Sequence, residues 1–197
     1  MIVIGLTGGI GAGKTSVVER LNSLGAEIFD ADVAARVAVA KGTRGYKKAV
    51  AYFGQYLLLD NKELNRQALA KIVFTDEKAR RVLEEIVHEE VWAMAESFLK
   101  KCKAQNTKVA VLEIPLLIES GWHKRVDEVW VVALPVDKQI ERVKLRSGLS
   151  KKDVEARIAV QMSLEEKKKY ADVIIDNSGT WEETDKQILK AWERLKK

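Results

Sequence analysis

An α/β chain built on a doubly wound, five-stranded parallel sheet is the fold class the sequence predicts, and three observations carry it. Ile2-Val3-Ile4-Gly5-Leu6 is a short apolar run of the kind needed by a strand buried on both faces. Four further apolar runs have strand character, Ala26 to Phe29, Val109 to Ile114, Val129 to Leu134 and Val173 to Ile175. Helical patterns alternate with them, notably Val136 to Arg146 and Trp181 to Leu195, as expected for a parallel sheet covered on both sides. Right-handed crossovers would then bring the carboxyl ends of the strands, and any ligand, to one edge.

The first strand runs directly into Gly8-Gly9-Ile10-Gly11-Ala12-Gly13-Lys14-Thr15. Val17, Val18, Leu21 and Leu24 follow at helical spacing, and Gly25 supplies a stop. A strand, a glycine-rich octapeptide and a helix in this order form a phosphate-binding loop, and they point to a P-loop NTPase or kinase fold. Glycine lets successive backbone N–H groups turn inward around an anion, while the helix directs its positive end at the same anion. Gly8, Gly9, Gly11, Ala12 and Gly13 would cradle the phosphates of ATP, with Lys14 reaching the β and γ phosphates. Thr15 would bind Mg²⁺, and Ser16 adds a second hydroxyl.

Between Ala34 and Asn106 no core strand is evident, but helical periodicities are. One is Tyr46, Ala49, Val50, Phe53; a longer one is Ala79, Val82, Leu83, Ile86, Val87, Val91, Met94, Phe98. Both read as packing faces of a helical insertion. Trp130, in a core strand, and Trp181 and Trp192, in the last helix, also read as packing residues.

With 197 residues, 47% hydrophobic and 32% charged, the chain suits one sizeable core with appendages. Its single cysteine, Cys102, excludes a disulfide framework. The absence of a leader and of any apolar run of spanning length argues for a cytoplasmic protein without membrane contact. The net charge of +5 is concentrated. Lys138 to Lys169 holds ten Lys or Arg and five Asp or Glu, a surplus equal to that of the whole chain. That distribution suits a polyphosphate, or a solvated helical face, better than nucleic acid, and no aromatic stacking stripe is present.

Phosphoryl transfer asks for charge neutralisation, a metal and a carboxylate beside the acceptor hydroxyl. Asp30-Ala31-Asp32 follows the second strand, and on an extended segment both carboxylates would face one way. Each is readable as a base or as a helix cap. Glu113 ends a hydrophobic strand and is a weaker acidic candidate; Glu119 reads as cleft lining or, by preference, as a surface residue. Arg142 and Arg146 share a helical face, as do Arg157 and Gln161, making either a phosphate clamp or partners for Glu141, Glu155 and Glu165. His88 and His123 lack partners at zinc-ligand spacing and read first as structural, although His88 could hydrogen-bond a substrate.

The ordered set Gly5 to Thr15, Asp30-Ala31-Asp32 and Pro115-Leu116-Leu117-Ile118-Glu119 resembles the dephospho-CoA kinase family. The resemblance continues through Arg142 to Arg146, Ser150 to Gln161 and Asp172 to Gly179, and so spans nearly the whole chain. It implies transfer of the ATP γ-phosphoryl group to the ribose 3′-hydroxyl of dephospho-CoA, the last step of coenzyme A synthesis. By the same resemblance, 1–33, 107–140 and 170–197 form the nucleotide-binding core, 34–106 binds the acceptor and 141–169 is the lid. Asp32 corresponds to the family's base, Lys14, Arg142 and Arg146 to its phosphate-handling cations, and Arg66 and His88 to acceptor contacts. Three positions depart from the pattern: Glu89 where Pro is usual, Asn65 where Asp is usual, and Ser147 where an acid is common.

Competing readings remain. Another small-molecule kinase would share the ATP site and differ in its acceptor pocket. A GTP-dependent switch needs Asn-Lys-x-Asp, and Asn61-Lys62-Glu63-Leu64 fails at its last position, while Asp176 to Gly179 comes too late in the chain. A basic nucleic-acid module ranks third. The partners expected are therefore ATP and dephospho-CoA, with no nucleic acid, on a monomer or weak homo-oligomer.

Overall fold

In the computed structural model of this protein, residues 1–195 are described; the last two residues of the expected 170–197 core segment lie outside them. The chain divides into two compact units, Met1–Phe29 with Lys101 onward, and Asp30–Lys100.

The first unit is organised by β1 (Ile2–Gly8), which leads through the glycine loop into α1 (Lys14–Ser23) and on to β2 (Glu27–Asp30), whose last residue opens the second unit. In the second unit lie α2 (Ala31–Ala38), α3 (Arg44–Phe53), α4 (Arg66–Thr75) and most of α5 (Glu77–Ala104). The chain then resumes the first unit with β3 (Val109–Glu113), β4 (Glu128–Ala133), α6 (Val136–Ser147), α7 (Lys151–Ala159), α8 (Leu164–Lys168), β5 (Val173–Asp176) and α9 (Trp181–Arg194).

The sheet is five-stranded and parallel, in the order β2-β3-β1-β4-β5. β1 pairs in parallel with β3, setting Leu6 opposite Glu113, and with β4, setting Thr7 opposite Val131. Burial follows this order. The inner strands β1, β3 and β4 are almost wholly buried, whereas the edge strand β5 alternates, with Ile174 exposed and Ile175 fully buried. An edge strand tolerates polar positions that an inner parallel strand, covered on both faces, does not.

The expected strands appear with shifted ends. Ala26 was read as opening the second strand, but its N–H donates to the Leu21 carbonyl at 3.0 Å and so finishes the turn out of α1. Ile4, Leu6, Val17, Leu21, Val111, Trp130, Val132, Ile175 and Ile188 are among the side chains of one core cluster, and Trp192 joins them. Trp181 does not: it stands at the first position of α9, 44% exposed.

The second unit has its own core. Ala49 and Phe53 of α3, Leu69 of α4, and Ala79 and Ile86 of α5 are buried together, with Tyr46, Val50, Val82, Leu83 and Val87 packed around them. These are the two periodicities read from the sequence. Glu89 pairs with Arg44 and, at 2.5 Å, with Lys48, so this departure from the family pattern ties α5 to α3. Asn65 caps α4 by accepting the Ala68 N–H at 3.0 Å, a task for which its amide oxygen serves as well as a carboxylate. Ser147, the third departure, donates to the Val143 carbonyl at 2.7 Å and closes α6.

Candidate active site

The loop after β1 is shaped by residues from α6 and from the turn beyond β5. Gly13 is the N-cap of α1 with φ of 89°, a left-handed conformation that only glycine adopts cheaply. A Cβ at Gly13 would lie 2.2 Å from Asn177 Nδ2, and one at Gly11 would lie 2.7 Å from Val143 Cγ2. Asn177 earns its place in the packing. Its Nδ2 donates to the Ala12 carbonyl at 2.8 Å, and its Oδ1 accepts from the buried Thr184 hydroxyl at 3.1 Å. Asn177 belongs to the last stretch of the family resemblance, yet nothing near it in the chain marks its structural role, because its partner Ala12 lies 165 positions away.

Lys14 folds back along the loop, with Nζ 3.2 Å from the Gly8 carbonyl and 3.5 Å from that of Gly9. Thr15 and Ser16 are exposed in the first turn of α1, and their hydroxyls make no hydrogen bond among the described residues. A hydroxyl with no internal partner at a helix start, beside a glycine cradle, fits a metal held mainly by phosphate oxygens and water.

Arg142 donates to the Asn177 carbonyl at 3.0 Å. Arg146 and Arg157 are exposed and form no ion pair among the described residues. Of the three acids considered as their partners, two are engaged elsewhere: Glu155 with Lys151 at 3.7 Å and Glu165 with Lys168 at 2.7 Å. Gln161 Oε1 accepts the N–H of Ile10, inside the phosphate loop, at 3.1 Å.

Glu119 turns its side chain largely away from solvent. Its side chain is 20% exposed and its carboxylate pairs with Lys167, 1% exposed, at 2.7 Å. The same oxygen accepts the Met162 N–H at 3.0 Å. Burial is the largest influence on this carboxyl and opposes ionisation, but the hydrogen bonds from Lys167 and the main chain together prevail and hold it below the usual carboxylate range. Lys167 was hidden in the run Lys167-Lys168-Lys169, where nothing marks the first lysine as the buried one.

In the second unit, Asp30 is a cap. Its Oδ1 accepts the N–H groups of Asp32 at 2.8 Å and Val33 at 3.0 Å, starting α2. The extended segment expected to aim both carboxylates one way therefore ends at Asp30; Asp32 is helical and exposed, its carboxylate without a hydrogen bond among the described residues. Arg66, the first residue of α4, donates to the Arg36 carbonyl at 2.8 Å, and His88 is an exposed residue of α5.

The dephospho-CoA kinase family matches residues 2–183. The chain belongs to the dephospho-CoA kinase family. Enzymes of this family phosphorylate dephospho-CoA in the final step of coenzyme A biosynthesis. A dephospho-CoA kinase of Geobacter sulfurreducens is 45% identical over 98% of this chain and 98% of its own length. Among solved structures, TT1252 from Thermus thermophilus has a TM-score of 0.84 at 36% identity, covering 98% of this chain and 96% of its own. The dephospho-CoA kinase from Campylobacter jejuni has a TM-score of 0.73 at 28% identity over the same shares. Family membership thus rests on the entire phosphate-loop unit as well as on the motifs, and no helix among the described residues is long and apolar enough to cross a membrane.

Proposed function

We propose that this protein transfers the γ-phosphoryl group of ATP to the ribose 3′-hydroxyl of dephospho-CoA, giving coenzyme A and ADP. The observation that carries the reading is the family match from residue 2 to residue 183 on a chain with the whole glycine loop in place. Residues 1–33, 107–140 and 170–197 form the nucleotide-binding core, 34–106 binds the acceptor, and 141–169 closes over ATP. The main-chain N–H groups of Gly8, Gly9, Gly11, Ala12 and Gly13 cradle the phosphates of ATP, and the ammonium of Lys14 leaves the Gly8 carbonyl for the β and γ phosphates. Thr15 would hold Mg²⁺ together with phosphate oxygens, and the ion would supply positive charge to the triphosphate.

Asp32 accepts the proton of the 3′-hydroxyl as its oxygen attacks phosphorus in line with the leaving ADP oxygen. An exposed carboxylate with no hydrogen-bond partner among the described residues has no such bond to break before it takes up this task. Arg146, also exposed and without an ion pair among the described residues, and Arg142 supply positive charge to the transferring group, while Arg66 and His88 contact the acceptor. The test is ATP consumption measured with dephospho-CoA, with nucleoside monophosphates and without acceptor. Rapid turnover with dephospho-CoA alone is expected; equal turnover with a nucleoside monophosphate would overturn the acceptor assignment.

A further inference from the structure

Resting on that reading of the phosphate loop, we propose that Glu119 and Lys167 are a positioning pair for nucleotide binding, acting through Gln161 on the Ile10 amide. An ammonium as deeply buried as that of Lys167 is expensive to desolvate, and a buried ion pair is often no more stabilising than the apolar residues that would fill its place. The pair's contacts indicate what the charge does instead. Glu119 Oε1 collects two donors, Lys167 Nζ at 2.7 Å and the Met162 N–H at 3.0 Å. Met162 directly follows Gln161, whose Oε1 holds the Ile10 N–H at 3.1 Å. On its other side Lys167 Nζ lies 3.5 Å from the Pro115 carbonyl, which also accepts the hydroxyl of Thr7 at 2.9 Å. Thr7 is fully buried and immediately precedes Gly8.

Both flanks of the first half of the phosphate loop, Thr7 and Ile10, are therefore tethered to one ion pair. Neither tether engages the amides that follow Ile10. Loss of the Glu119 carboxylate releases the Met162 N–H, and with it the main-chain position from which Gln161 reaches Ile10. The loop then has to be ordered by the nucleotide itself, and affinity falls.

The decisive experiment is a double-mutant cycle read by calorimetric titration of ATP without acceptor. Gln161→Ala, which leaves the buried pair intact, is expected to weaken ATP binding about fivefold, the effect of losing one ordinary hydrogen bond. Glu119→Gln is expected to weaken it at least as much, but to add little in the Gln161→Ala background, because Glu119 acts through Gln161. The KM for dephospho-CoA should not move in any of these variants. Independent, multiplying effects of Glu119→Gln and Gln161→Ala on ATP affinity would overturn the proposal, as would unchanged affinity in Gln161→Ala. If Glu119→Gln does not fold, Glu119→Asp keeps the charge while withdrawing the carboxylate, and the same non-additivity is expected. Since the titration contains no acceptor, a parent enzyme that binds ATP but ignores dephospho-CoA refutes the functional reading and leaves this inference standing.

Discussion

The side chain of Asn177 fills the space that a Cβ on Gly13 would occupy, 2.2 Å from its Nδ2, while that same nitrogen bonds the Ala12 carbonyl at 2.8 Å. Phosphate-loop geometry is thereby keyed to the turn beyond β5. Gly13→Ala meets two obstacles, the collision and a positive φ, and should lose ATP binding in a titration while the sheet still melts cooperatively. Asn177→Ala removes the collision partner but takes the Asn177 donor from the Ala12 carbonyl, while the Thr184 hydroxyl keeps the Asp176 and Thr180 carbonyls as acceptors. Its expected outcome is a lower Tm, corresponding to about 1–3 kcal/mol for a buried polar group left unpaired, together with weaker ATP binding.

Asp30 and Asp32 should separate cleanly by measurement. Asp32→Asn alters an exposed side chain with no hydrogen bond among the described residues, so its Tm and ATP affinity should match the parent, while single-turnover phosphorylation slows by about 10²-fold or more. Asp30→Ala removes a cap that holds two N–H groups, and is expected to cost about 1 kcal/mol of stability. Parent-like turnover in Asp32→Asn would show that another group receives the proton.

Arg146 and Arg142 should differ in a related way. Arg146→Ala breaks no ion pair or side-chain hydrogen bond among the described residues, so a loss of kcat with unchanged Tm is expected. Arg142→Ala also frees the Asn177 carbonyl, so thermal melting as well as kcat should register it. A drop in Tm for Arg146→Ala alone would remove it from the catalytic group.

Acid should weaken the fold partly through Glu119. Its carboxyl is held below its ordinary value of 4.5 in the folded protein, so the unfolded chain binds more protons in that range. The stability it contributes is present above 4.5 and is lost as pH falls through the lowered folded value. Denaturant melts between pH 7 and pH 3 should show a shallower acid-side decline for Glu119→Gln than for the parent. Parallel declines would mean that the Glu119 proton is not linked to folding.

Much of the fold was readable because its causes are local. Inner strands must be apolar on both faces, so Ile2 to Leu6, Val109 to Ile114 and Val129 to Leu134 announce themselves, and the periodicity of α3 and α5 identifies the faces that meet in the second unit. The glycine loop is equally local, since strand, turn and helix are consecutive. Strand and helix ends were less legible: Ala26 fell to the turn out of α1, and the carboxylate of Asp30 started a helix where an extended segment was expected.

What the sequence determined by itself is the order of the parallel-sheet elements, the phosphate loop and the family, all carried by residues adjacent in the chain or by an ordered set of motifs. Tertiary structure alone decided that Glu119 turns its carboxylate inward to Lys167, 48 positions away, that Gln161 holds the Ile10 amide across 151, and that Asn177 underlies Gly13. The reason is physical. A polar side chain carries no mark of whether water or a distant partner will satisfy it, and only the folded chain, by excluding water at that point, makes the choice.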